Sequence, residues 1–212
     1  MKKIMFDDRF GLTQAVLEIR KTMTRRFLTQ NYEKVSCLNI NYEDRWHGEL
    51  DGETYELLPR FQVGETVAIA QSYESIHDEM MNGDFGDSIY DAFRNAMVVD
   101  KPGWKNKMFV SSYLMPHHIR ITGIKSERLQ DISNEDAMRE GVFKYDEPPL
   151  FHEFDPYSPW PPHVKPYKHD HDNKQYFCEA RFAFAHLIER VSRIGMWNIN
   201  PWVFAYSFER ID

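Results

Sequence analysis

The sequence predicts an α+β protein: a small, mostly antiparallel β-barrel with flanking helices and insertions. Three observations carry that expectation. Near the C-terminal end, Trp202, Phe204, Tyr206 and Phe208 alternate with Val203, Ala205, Ser207 and Glu209, the two-residue period of a β-strand. Residues 177–194 are the longest segment with helical apolar spacing, through Phe182, Ala185, His186, Leu187 and Ile188, and they stop before Gly195. Elsewhere the strands are short and separated by irregular segments. The order strand, helix, several strands, short helix, long helix, strand does not suit an alternating parallel sheet.

Residues 3–6 read as a short first strand. Asp8 then caps a helix over 9–20, whose Leu12, Ala15, Val16 and Ile19 share one face. Residues 24–28 run extended, and 29–60 are polar and without period, an excursion from the core. The turn Phe61-Gln62-Val63-Gly64-Glu65 leads into Thr66–Tyr73, an apolar run of strand formers read as a core strand. Residues 74–106 are mixed, with a helix near 88–97. Phe109–Leu114 reads as a strand stopped by Met115-Pro116. His118–Arg128 reads as another, with Ile119 and Ile121 alternating before a bulge at Gly123. Ser133-Asn134-Glu135-Asp136 resembles a capping box, and the short helix it opens ends at Gly141. Residues 144–175, rich in proline, aromatics and histidine, read as a long surface loop.

With 212 residues, 42% of them hydrophobic and 28% charged, the chain suits one soluble domain over 1–212 with insertions near 29–60, 74–106 and 144–175. The formal charge of −7 argues against duplex-DNA specificity but allows a local basic patch. Cys37 and Cys178 stand far apart in no metal-ligand spacing. A disulfide is open, with a reduced cytoplasmic chain preferred. The N-terminus turns acidic before any long apolar run, so neither signal peptide nor membrane partner is expected.

The densest chemistry lies in Arg20-Lys21-Thr22-Met23-Thr24-Arg25-Arg26. Lys21 offers an amine and Thr24 a hydroxyl, a pair able to activate a nucleophile. Arg20, Arg25 and Arg26 can hold an anion or a polar base edge. The plainer reading is a helix ending in cations that complement its dipole, followed by threonines favoured in a strand. His152, His163, His169 and His171 crowd the long loop. His169-x-His171 could ligate a metal, but a solvated loop is the preferred reading, and no metal or other cofactor is assigned.

Four blocks in order carry a resemblance: Arg20-Lys21-Thr22-x-Thr24-x-Arg26, Val63-Gly64-Glu65-Thr66-Val67, Glu127–Ile132 on to Gly141, and Asn200-Pro201-Trp202-Val203-Phe204. Together they resemble the ASCH domain family of the PUA-like superfamily, nearest its longer bacterial and phage-associated members. The resemblance implies a PUA-like β-barrel that binds RNA or a modified nucleoside beside the barrel. Some short family members are amidohydrolases that remove an acyl group from the exocyclic amine of cytidine with a lysine, a threonine and a glutamate. Carried over motif by motif, these are Lys21, Thr24 and Glu140, with Arg20, Arg25, Arg26, Gln71, Tyr73 and His117 as substrate-binding candidates. Ala70 and Gln71 stand where longer relatives carry an Arg-Glu pair, and His117 stands where they carry arginine. A titratable group then replaces a permanent cation, and the transfer of substrate identity weakens. A non-catalytic RNA-binding module and a phage or mobile-element accessory protein are the alternatives. Oligomeric state is not legible.

Overall fold

A computed structural model describes residues 1–28, 35–40, 46–50, 52–82, 87–144, 167–168 and 177–212. The four loop histidines lie outside the described residues. In chain order the elements are β1 (Lys3–Ile4), α1 (Leu12–Leu17), β2 (Met23–Phe27), β3 (Val35–Ile40), β4 (Trp46–Leu50), β5 (Glu53–Glu56) and β6 (Thr66–Ile69). There follow α2 (Tyr73–Asn82), α3 (Asp87–Asn95), β7 (His118–Arg128), α4 (Asn134–Arg139), β8 (Phe143–Lys144), β9 (Tyr167–Lys168), α5 (Ala180–Val191), α6 (Met196–Ile199) and β10 (Trp202–Arg210). The protein is therefore α+β with mostly antiparallel pairing, as expected. Among the described residues the strands form open sheets, and no closed barrel is present. None of the described helices is long and apolar enough to cross a membrane.

The chain divides into two compact units. The first comprises residues 1–19, 61–122 and 208–212. In it β1 lies parallel to β6, and β6 lies antiparallel to the start of β7, with Val67 opposite Ile119. Its apolar centre contains Ala68, Ala70, Tyr73, Ile76, Phe93, Val98, Val110, Leu114 and Met115. The expected 9–20 helix is shorter, Leu12–Leu17, and starts from Gly11 with no side-chain cap; a separate 3₁₀ turn precedes it. The Asp7 carboxylate accepts from the Arg9 N–H, and that 3₁₀ turn ends at Gly11, whose φ of 62° suits glycine. Ile19, expected on the buried face, instead adopts φ 62° and is exposed.

Residues 109–114 are not a strand. They lie across two 3₁₀ turns, Lys107–Phe109 and Ser112–Leu114. The Asn106 side chain accepts from the Met108 N–H and fixes the first. Val110, Leu114 and Met115 point inward while Phe109 and Tyr113 are exposed, a spacing that period-two reading cannot produce.

The second unit comprises residues 20–60 and 123–207. The later part of β7, β10 and β2 lie side by side in that order. β10 and β2 are antiparallel, with Ala205 opposite Arg25 and Tyr206 opposite Thr24. Within the stretch read as an excursion, β3, β4 and β5 form their own antiparallel sheet, with Leu38 opposite Gly48. Its strands carry too many polar residues to show an apolar period. α4, α5 and α6 build a core from Leu129, Ile132, Ala137, Val142, Ala183, Phe184, Ile188, Met196 and Val203. The buried stripe of α5 is Ala180, Ala183, Phe184, Leu187 and Ile188, spaced by three and four residues. The expected Phe182 lies off that stripe and is exposed.

The Ser133 cap forms as expected: its hydroxyl accepts from the Asp136 N–H at 3.1 Å. Gly141 follows the helix at φ 104°. Ser133→Ala should lower stability by about 1 kcal/mol in urea unfolding. An unchanged midpoint would mean that tertiary packing alone holds α4.

Candidate active site

Two features of α4 and β2 put charge inside the second unit. The Thr22 N–H donates to the Arg139 carbonyl at 2.9 Å, which pins the chain before β2 to the end of α4. Glu140 is the C-cap of that helix, so its side chain and its carbonyl both meet the incoming segment. Lys21 Nζ donates to Glu140 Oε2 at 2.6 Å and to the Glu140 carbonyl at 2.7 Å. The two side chains are 3% and 5% exposed, so this ion pair is shut away from bulk water.

Strand alternation then sorts the next residues. Met23, Arg25 and Phe27 share one face of β2, and Thr24 and Arg26 the other. Arg25 is the hub of the first face. Its Nη1 donates to Glu140 Oε1 at 3.0 Å, its Nε to Glu127 Oε1 at 2.8 Å, and its Nη2 reaches Asp136 Oδ2 at 3.4 Å. The guanidinium also lies 5.7 Å from the centre of the Phe184 ring. Lys125 closes the far side, 2.5 Å from Asp136 and 2.9 Å from Glu127. Arg139 joins Asp136 at 3.4 Å and donates to Ser207 Oγ at 3.0 Å.

Burial pushes the Lys21 amine below its ordinary pKa. The Glu140 carboxylate opposes that shift, and the Arg26 and Arg25 charges add to it. The pair therefore holds a lysine whose neutral form is favoured more than in water, the condition for a base. Arg26 is also lowered, first by burial and then by Arg60, against the pull of Glu140. Burial alone would raise the Asp136 carboxyl. Lys125, with Arg25 and Arg139, overcomes that and holds it below its ordinary range.

The sign of the Asp136 shift fixes a pH dependence. In the unfolded chain this carboxyl titrates near its ordinary 3.8, and in the fold it titrates lower. Its contribution to stability is complete above the unfolded value and is lost as pH falls through the folded one. Asp136→Asn should therefore flatten the acid limb of a plot of unfolding free energy against pH. An equally steep limb in the variant would assign the slope to other carboxylates.

The candidates named from sequence are distributed as follows. Lys21 and Glu140 touch across 119 positions of chain. Thr24 is buried, 5% exposed, three positions along from Lys21 and on the face of β2 away from Arg25. Arg20 is exposed, Arg26 half-buried, and Arg25 occupied by carboxylates inside the unit. Gln71, Tyr73 and His117 belong to the first unit. Tyr73 is a core residue there: its ring packs edge-on against Phe93 and its hydroxyl accepts from the Ser111 N–H at 2.8 Å. His117 accepts at Nδ1 from Arg210 at 3.2 Å, which leaves Nε2–H to donate to Glu79 at 3.1 Å. Glu127, Asp136, Lys125 and Arg139 were not singled out from sequence. A signal existed, since three of the four fall between Glu127 and Gly141, a block whose charges exceed what an amphipathic turn needs.

These features define an α+β protein whose second unit holds a buried lysine–glutamate couple inside an arginine-centred ion network. Comparison with known protein families, with curated proteins and with solved structures finds no match to this chain.

Proposed function

We propose that the chain is an ASCH-type, PUA-like protein that recognises a nucleobase, nucleoside or RNA end and removes an acyl group from the exocyclic amine of cytidine. The observation that supports this reading is the Lys21–Glu140 contact, 2.6 Å long and buried, with the lysine pKa lowered by that burial. An amide hydrolase needs an amine that can take a proton near neutral pH.

In this reading Lys21 takes a proton from the attacking oxygen, either the Thr24 hydroxyl or a water that Thr24 orients. The oxygen bonds to the acyl carbon, and the carbonyl becomes a tetrahedral oxyanion. Collapse breaks the bond from carbon to the exocyclic nitrogen, and Lys21 returns the proton to that nitrogen. One water is consumed, and cytidine and a carboxylate leave. If Thr24 is the nucleophile, that water enters in a second step that hydrolyses the acyl-threonine. Glu140 orients the lysine amine throughout. The Arg25 and Arg26 charges favour both the neutral lysine and a developing oxyanion.

The direct test is incubation with N-acetylcytidine and related acylated nucleosides, followed by chromatography. The expected result is cytidine and acetate in equal amounts. Absence of product across the panel removes the hydrolase. A second reading, binding without turnover, is favoured by the Lys21 amine, which donates to both the carboxylate and the carbonyl of Glu140 and is thereby engaged as a donor. It predicts retention of a nucleoside or short RNA that weakens with salt and yields no product.

A further inference from the structure

The first unit carries a concave site, unrelated to the residues above. α2 and α3 present His77, Met80 and Met81 on one side and Tyr90, Phe93 and Arg94 on the other. With Met97, Val98 and Val99 they enclose a cavity of about 360 Å³. That size falls in the range of small-ligand pockets, which are mainly apolar with a few polar groups to set orientation. Three methionines supply a soft wall that adapts to an aliphatic or aromatic body.

Two independent features mark the rim. Exposed apolar side chains gather there: Met81 is 68% exposed, Tyr90 50%, Met97 81% and Val99 61%. A water-facing apolar cluster of this kind signals a surface that meets something else. Met97 also adopts φ 45°, a left-handed conformation unfavourable for a side-chain-bearing residue and typical of clamps held in place by their surroundings. The Met97 N–H bonds to the Arg94 carbonyl at 3.2 Å, and Lys101 Nζ holds the Ala96 carbonyl at 2.5 Å, so the turn is braced.

Arg94 decides the ligand class. It is the permanent cation of the lining, and among the described residues no carboxylate pairs with it. His77, also in the lining, sits 3.6 Å from the Asp78 carboxylate. We infer that this cavity binds a small anionic amphiphile, an alkyl or aryl carboxylate, with its apolar body among the methionines, Tyr90 and Phe93 and its carboxylate on Arg94. The inference does not rest on the hydrolase reading.

The test uses the full chain and three probes of equal length, octanoate, octanol and octylamine, each titrated calorimetrically at fixed ionic strength. Octanoate should bind at least ten-fold more tightly than octanol, and octylamine weakest. Arg94→Met should erase the preference for octanoate over octanol while leaving octanol affinity within about two-fold of the parent's, since the apolar wall is intact. Met97→Asn, which suits the left-handed backbone there and adds no charge, should weaken all three. Equal binding of the three probes by the parent, an undiminished octanoate preference in Arg94→Met, or no binding at all would each overturn the assignment.

Discussion

Arg25→Met should lower the unfolding free energy by about 3–5 kcal/mol, the usual loss when one partner of a buried ion cluster is removed. Arg25 has a side chain only 1% exposed and serves Glu127, Asp136 and Glu140 at once. Without it, Glu127 and Asp136 keep Lys125, and Glu140 keeps Lys21, but three carboxylates crowd a space that no longer contains their shared cation. Methionine fills much of the same volume, so the loss is electrostatic more than steric. Arg25→Lys should fall between the two. It restores a charge but lacks the fork that bonds two acids together. Urea titrations followed by circular dichroism measure all three. A loss under about 1 kcal/mol for Arg25→Met would show the network to be a surface-like arrangement that water screens.

Lys21→Met should reduce deacylation by about 10²–10⁴-fold, the range expected for removing a general base. Its effect on stability should be smaller than that of Arg25→Met, because Glu140 keeps Arg25 as a partner at 3.0 Å. The sign of the lysine shift gives a further check. The folded pKa is lowered from 10.5, so the unfolded chain holds the proton more tightly. Stability contributed by Lys21 therefore rises as pH climbs from the folded value toward 10.5. The parent should gain on Lys21→Met over that interval. Turnover that survives the substitution removes Lys21 from the mechanism. Turnover lost together with cooperative unfolding would mark the lysine as a structural pin for the end of α4.

Much of the second unit's framework is legible in the residues. The Ser133 cap, the Gly141 stop and the alternation through β10 are local, set by hydroxyl and backbone geometry within a few positions. The pairing of Lys21 with Glu140 entered only through a motif resemblance, because no local rule joins residues so distant. The network of acids and bases around Arg25 left only a density of charge between Glu127 and Gly141, with nothing local to say which of them meet. Each member looks like an ordinary surface charge until β2 and α4 are brought together. Conversely, Tyr73 reads as a substrate-binding candidate, whereas in the fold its ring packs against Phe93 in the core of the first unit.

By itself the amino-acid order determined an α+β composition, both ends of α4 and the long strand β10, since those depend on periodicity and on caps within a turn. Three-dimensional packing decided that the sheets of the described residues stay open, that β3, β4 and β5 pair with one another, and that Arg25 is enclosed by acids. The physical reason is range. Backbone preferences act over a few residues, whereas the desolvation that lowers the Lys21 pKa and demands partners for Arg25 exists only once distant segments have excluded water.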